Sequence, residues 1–139
     1  MIHLITGYRG KGKTRTMIED ANSRVKEVKG SIVYIDQSMH HMYELNNKIR
    51  LINMKDFRIN NRDEVVGFVA GMISQNRDIE VLYMDGLLKL KEVAVEDVSY
   101  IVRALDRLCG DHNIEMTMTL SMDTQDLEED LQTMVMTAL

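Results

Sequence analysis

The 139-residue chain has no proline, no tryptophan and a single cysteine, Cys109. Without proline, helix and loop boundaries must rest on Gly, Asn and Asp. One cysteine excludes an intramolecular disulfide, which fits a reducing cytoplasm. Cys109 falls on an apolar helical face, where a small buried hydrophobe is the plainer reading than a nucleophile. No apolar run approaches the roughly 20 residues of a membrane helix, so a soluble protein without membrane contact is expected. The first strand begins almost at residue 1, which leaves no room for a signal peptide.

Positive charge is also scarce, and the net charge is −5. That balance does not support free-standing nucleic-acid binding. The deficit is uneven. Arg9, Lys11, Lys13, Arg15, Arg24, Lys26 and Lys29 crowd the first 30 residues, whereas no Lys or Arg follows Asp111. The acidic end carries Asp111, Glu115, Asp123, Asp126, Glu128, Glu129 and Asp130. A solvated acidic helix is the plain reading. A head-to-tail contact between the two ends of a homo-oligomer is the sharper one.

What is present is enough for one domain with its own core. The apolar fraction of 45% is ordinary for a globular chain. Most of the 12 methionines fall at periodic positions and read as core.

The most specific stretch is Gly7-Tyr8-Arg9-Gly10-Lys11-Gly12-Lys13-Thr14, which reads G-x-x-x-x-G-K-T. It follows the apolar run Ile2–Thr6 and opens onto a helical pattern, the setting a P-loop requires. Gly7 and Gly12 permit backbone angles and close approaches that a side chain would block. The loop N–H groups then form an anion nest at a helix N-terminus. Lys13 can reach the β- and γ-phosphates of a nucleotide, and the Thr14 hydroxyl can serve Mg²⁺. Arg9 and Lys11 add positive charge at the tip. Tyr8 shapes the loop more naturally than it stacks on a base.

Periodicity places a first strand at Ile2–Thr6 and a helix from Lys13 to Val28, closed by Gly30 as C′ residue. A second strand, Ser31–Ile35, ends at Asp36. Gln37–Asn47 reads as a short helix or helical loop, Ile49–Met54 as an edge strand, and Lys55–Asn61 as a polar loop. Arg62–Asn76 is helical. Ile79–Asp85 is a strong strand, followed by a loop and a helix over Val95–Cys109 capped by Gly110. Ile114–Met122 is a strand, and Thr124–Leu139 reads as a final helix with Leu127, Leu131, Met134, Val135 and Ala138 inward. Strands alternating with helices imply a three-layer α/β/α fold around a mostly parallel sheet of about five strands. Ligands of such sheets lie beyond the carboxyl ends of the strands, where the P-loop, Asp36, Asp85 and Ser121 fall.

Asp85 ends an apolar strand downstream of the P-loop, the position of a Walker B aspartate that would hold Mg²⁺ opposite Thr14. On Gly7–Thr14, Ile32–Asp36, Val81–Asp85 and Thr119-Leu120-Ser121, the chain resembles the RecA-like branch of P-loop ATPases, which also holds DnaB-type helicases. The resemblance implies a strand inserted between the P-loop and Walker B strands, a place Ile114–Met122 would fill. It also implies a polar γ-phosphate sensor at Ser121 or Thr119. Many of these ATPases carry a glutamate directly after the Walker B aspartate; here Gly86 stands there. RecA itself has its glutamate just beyond the second strand, where this chain has Asp36-Gln37-Ser38. Asp36 is the best substitute for polarising water, with Gln37 and Asp123 behind it. Arg103 and Arg107 are candidates for an arginine finger supplied to a neighbouring subunit.

The expected function is ATP binding with slow Mg²⁺-dependent hydrolysis, with a second copy or a protein partner able to complete the site. Lys13, Asp36 and Ser121 carry the chemistry. A non-hydrolysing regulatory module and a small nucleoside or nucleotide kinase are the alternatives. A kinase would draw on Arg50, Arg58 and Arg62. His40-His41 with Glu44 matches no standard zinc spacing.

Overall fold

A computed structural model describes residues 1–139. Six parallel strands form one sheet: β1 (Ile2–Thr6), β2 (Ser31–Asp36), β3 (Arg50–Asn53), β4 (Ile79–Met84), β5 (Glu115–Leu120) and β6 (Val135–Ala138). Their order is β3-β2-β4-β5-β1-β6. The strand expected between the P-loop and Walker B strands is there, since β5 pairs with β1 on one side and β4 on the other. The inner strands β2 and β4 are mostly apolar, as burial on both faces demands, while β5 alternates methionine with the buried Thr117 and Thr119.

Helices cover both faces, giving three layers. Helix α1 (Lys13–Arg24) lies on one face, and α2 (Arg62–Gln75) and α3 (Val98–Asp111) pack on the other. Strand alternation sorts the side chains. Leu4, Val33, Ile35, Leu82, Met84, Met116 and Met118 enter the larger core with Val65, Val69, Ile101 and Leu105. Ile5, Ile32, Tyr34, Val81 and Tyr83 form a smaller core with Met17, Ile18 and Ala21 of α1. Continuing the period by two residues from Tyr34 and Tyr83 puts Asp36 and Asp85 on the α1 face, at the carboxyl end of the sheet. The fold thus assembles its polar end beside the helix that the P-loop opens.

Several boundaries differ from the pattern-based expectation, each for a physical reason. Thr124–Leu139 is not one helix. A 3-10 turn at Thr124–Asp126 and a short α4 (Glu129–Gln132) lead into β6. Leu127 and Leu131 do reach the core, but Val135–Ala138 alternates half-buried and exposed, the period of a strand. The outer edge of β1 is open to a partner, and the uncharged Val135–Thr137 stretch, β-branched at both ends, takes it.

Gly30 is not a left-handed cap. The helix ends at Arg24, and a side chain at Gly30 would collide with the Asp78 carbonyl oxygen. Gly110 lies inside α3, and Asn113 (φ 56°) makes the left-handed turn instead. A 3-10 turn, Met54–Phe57, takes the last residue of the expected edge strand, fully buried Met54, and the start of the expected polar loop. Val95, expected in the buried stripe, sits in a 3-10 turn ahead of α3 and is half exposed.

Cys109 is fully buried under α3, and burial pushes its thiol up to about 11 from 9.0. A thiol-specific reagent at pH 8 should therefore not label the native protein and should label it stoichiometrically in urea. Because the folded value lies above the unfolded one, Cys109 costs no stability below pH 9 and lowers it as the pH climbs toward 11.

Candidate functional site

The P-loop runs from β1 into α1. Gly7, Gly10 and Gly12 all have positive φ, and Gly12 forms the left-handed N-cap of α1. Gly7 is further constrained by packing: a Cβ there would lie 2.8 Å from the Leu139 carbonyl oxygen. Its N–H donates to the Met122 carbonyl at 3.0 Å, which fixes the loop to the end of β5.

Lys13 is 7% exposed, an unusual burial for lysine. Its Nζ donates to the carbonyl of Tyr8 at 3.0 Å, folding the side chain back over its own loop. Burial holds its pKa below the ordinary value; Asp85 opposes that shift and Lys89 adds to it. A desolvated ammonium at a helix N-terminus is poised for an anion.

Asp85 is held on both oxygens. Thr119 Oγ1 donates to Oδ1 at 2.6 Å, and the Tyr34 hydroxyl donates to Oδ2 at 3.1 Å. Tyr34 is fully buried and stacks on Tyr83 with ring centroids 6.0 Å apart. Burial, and then the charges of Asp85 and Asp36, hold the Tyr34 phenol far above the ordinary tyrosine range, so it remains a donor. Tyr83 in turn donates to Asp20 of α1 at 2.7 Å.

Asp36 is 3% exposed. Its Oδ1 accepts the N–H of Gln37 at 2.7 Å, while its Oδ2 is buried with no hydrogen-bond partner. Burial first, then the Asp85 charge, raises its pKa; His41 and Lys89 pull it back down. Gly86, which follows Asp85, has φ 74°, and a Cβ there would lie 2.6 Å from Cγ of Gln37. A side chain at Gly86 would therefore be strained by the backbone and would have to displace Gln37.

These elements enclose a cleft of about 210 Å³ lined by Arg9, Gly10, Gly12, Lys13, Thr14, Arg15, His41, Asp85, Gly86, Leu87, Leu88, Lys89, Thr119 and Ser121. Of the sequence-derived candidates, Arg9, Gly10, Gly12, Lys13, Thr14, Asp85 and Ser121 therefore meet in one place. Gly7, Tyr8 and Lys11 belong to the loop but do not line the cleft; Asp36 lies behind it against Gly86. Thr119 is committed to Asp85, which leaves Ser121, exposed at the rim, as the free hydroxyl.

The weaker candidates are mostly engaged elsewhere. Asp123 accepts the N–H of Gln125 as the N-cap of a 3-10 turn. Arg103 pairs with Glu128 and Asp130 of its own chain, so the acidic segment finds a cation internally. Arg50 pairs with Asp78, and Arg62 with Asp97, away from the cleft. No cluster of three or more His, Cys, Asp or Glu residues fits a metal ion. Motif reading does not find Lys89 or Tyr34, and it meets His41 only as part of a poor zinc pattern. Their roles come from strand order, which no local spacing reports.

No family model matches the chain, and no curated protein matches it in sequence. Among solved structures, the flagellar accessory protein FlaH from Methanocaldococcus jannaschii matches with a TM-score of 0.62 at 14% identity. The match covers 95% of this chain and 65% of the FlaH chain. The likeness shows a shared fold. It fits the three-layer α/β/α arrangement, with this chain spanning just under two thirds of the FlaH length. No helix here is long and apolar enough to cross a membrane.

Proposed function

We propose that this chain binds ATP with Mg²⁺ at the P-loop and hydrolyses it slowly. The observation that carries the reading is the buried Lys13, its Nζ parked on a loop carbonyl beneath three positive-φ glycines and facing Asp85. Lys13 and the loop N–H groups would take the phosphates. Thr14 and Asp85, which both line the cleft, offer a hydroxyl and carboxylate oxygens, donors that would suit a hard Mg²⁺, while the buried Asp36 behind them adds negative charge. When bound, Mg²⁺ neutralises phosphate charge. Ser121 would sense the γ-phosphate from the rim. ATP is favoured over GTP because no Asp-x-x-Gly follows Asp85 and no Asn-Lys-x-Asp occurs. A cytoplasmic setting and a protein or homo-oligomeric partner that reads occupancy belong to the same proposal.

A non-hydrolysing regulatory module is the second reading. It is favoured by one observation: no glutamate lines the cleft. Calorimetric titration with ATP and ADP, with and without Mg²⁺, tests both readings. Mg²⁺-dependent ATP binding supports the site, and phosphate release then separates an ATPase from a switch. Absence of ATP binding would sink both.

A further inference from the structure

His41 and Glu44 stood out in the sequence only as a poor metal pattern. The fold gives them a different setting. His41 lines the same cleft as Lys13, Thr14, Asp85 and Ser121. Its Nδ1 is hydrogen-bonded to Oε2 of Glu44. A carboxylate on Nδ1 favours the tautomer that leaves Nε2 with a free lone pair, the arrangement of an oriented base.

The dyad is also built in place. The Glu44 N–H donates to the His41 carbonyl at 3.0 Å, closing a turn. Asn22 of α1 donates to the Glu44 carbonyl at 2.9 Å and accepts the Asn46 N–H at 2.8 Å. Leu45 between them is buried in the smaller core under α1. The segment that carries the dyad is therefore fastened to the helix that the P-loop opens, so base and phosphate site move as one body. This matters because glycine stands at the usual glutamate position and Asp36, the sequence-based substitute, does not line the cleft.

We propose that His41, oriented by Glu44, is the general base that activates the water attacking the terminal phosphate of the bound nucleotide. The inference rests on the nucleotide reading above and deepens it. Water oxygen forms the new bond to the γ-phosphorus, and its proton passes to Nε2 of His41. The bond from the γ-phosphorus to the bridging oxygen breaks, and the nucleoside diphosphate leaves with the electron pair. The imidazolium then returns its proton to solvent. The charged groups that face this cleft or the ring are Glu44 on its own segment, Asp36 at the end of β2, Arg9, Lys13 and Arg15 of the P-loop and α1, and Asp85 and Lys89 after β4.

The test uses the full chain and two readouts. His41→Gln should lower phosphate release about a hundredfold or more, the ordinary worth of a general base, while Mg·ATP affinity stays as in the wild type. Glu44→Gln should act in the same direction with a smaller loss, and imidazole should restore part of the rate to His41→Ala. Independently of turnover, the His41 ring resonance, assigned by its loss in His41→Gln, should shift when a non-hydrolysable Mg·ATP analogue is added, as a ring beside the terminal phosphate must. Unchanged release in His41→Gln would overturn the proposal. So would a wild type that binds ATP and releases no phosphate, or a His41 ring resonance that the bound analogue does not move. A wild type that fails to bind ATP would instead remove the nucleotide reading, and the base with it.

Discussion

Asp85→Ala is expected to cost about 2–4 kcal/mol of stability and to remove the Mg²⁺ dependence of nucleotide binding. The stability loss follows from the two hydroxyls aimed at this carboxylate. Tyr34 is fully buried and Thr119 is 3% exposed, so neither can turn to water when the acceptor goes. Each stranded hydroxyl costs about 1–3 kcal/mol. Part of that sum is returned, since Asp85 also pushes against the buried Asp36. Asp85→Asn should stay close to the wild type in urea, because an amide can both accept and donate to hydroxyls. The Mg²⁺ effect should nevertheless be lost in both variants. Equal urea midpoints for wild type and Asp85→Ala would mean that the two hydroxyls are not held as described.

Lys13→Ala is expected to separate function from folding most cleanly. A charge-assisted contact to phosphate inside a partly desolvated cleft is worth up to about 3 kcal/mol, so Mg·ATP affinity should fall about a hundredfold. The unliganded protein should be at least as stable as the wild type. Burial already disfavours the Lys13 ammonium, and its Nζ has only a loop carbonyl for a partner. Thermal shift reads both halves. At a hundred times its dissociation constant, Mg·ATP adds about 2.7 kcal/mol to the wild type, or on the order of 10 °C for a chain of this size. The variant should show no such shift at that concentration. A variant that keeps the wild-type shift would place the phosphates away from this loop.

The parts of the site that could be read in advance are those whose signal is local. Gly7–Thr14 announces itself because a strand, a glycine-rich turn and a helix start must follow one another in sequence. Asp85 is legible because an apolar strand ends on it. The partners of Asp85 are not. Tyr34 reaches it only because β2 lies beside β4, and Thr119 only because β5 is inserted on the other side. Those are facts of strand order, decided by the whole chain.

The same distinction explains the C-terminal error. Leu127, Leu131, Met134 and Val135 keep a helical period by chance of spacing. What draws Val135–Ala138 into a strand is the vacant side of β1, more than 120 residues earlier by its numbering. Gly30 and Gly110 teach a related point. Sequence pattern makes both helix terminators, yet one is needed for a close approach to Asp78 and the other sits within a helix turn.

The β6 strand has a practical consequence for handling the protein. The Leu139 N–H donates to the Thr6 carbonyl at 2.9 Å, and its own carbonyl lies against Gly7. Met1, by contrast, is anchored by its amino group to the Ile114 carbonyl, at the opposite end of the sheet. An affinity handle joined after Leu139 is expected to crowd the glycine-rich loop and depress any phosphate-ligand affinity measured there, whereas one joined before Met1 is not. A small fluorophore at position 139 turns that proximity to use, as an optical reporter of loop occupancy with a label at the amino end as its silent control.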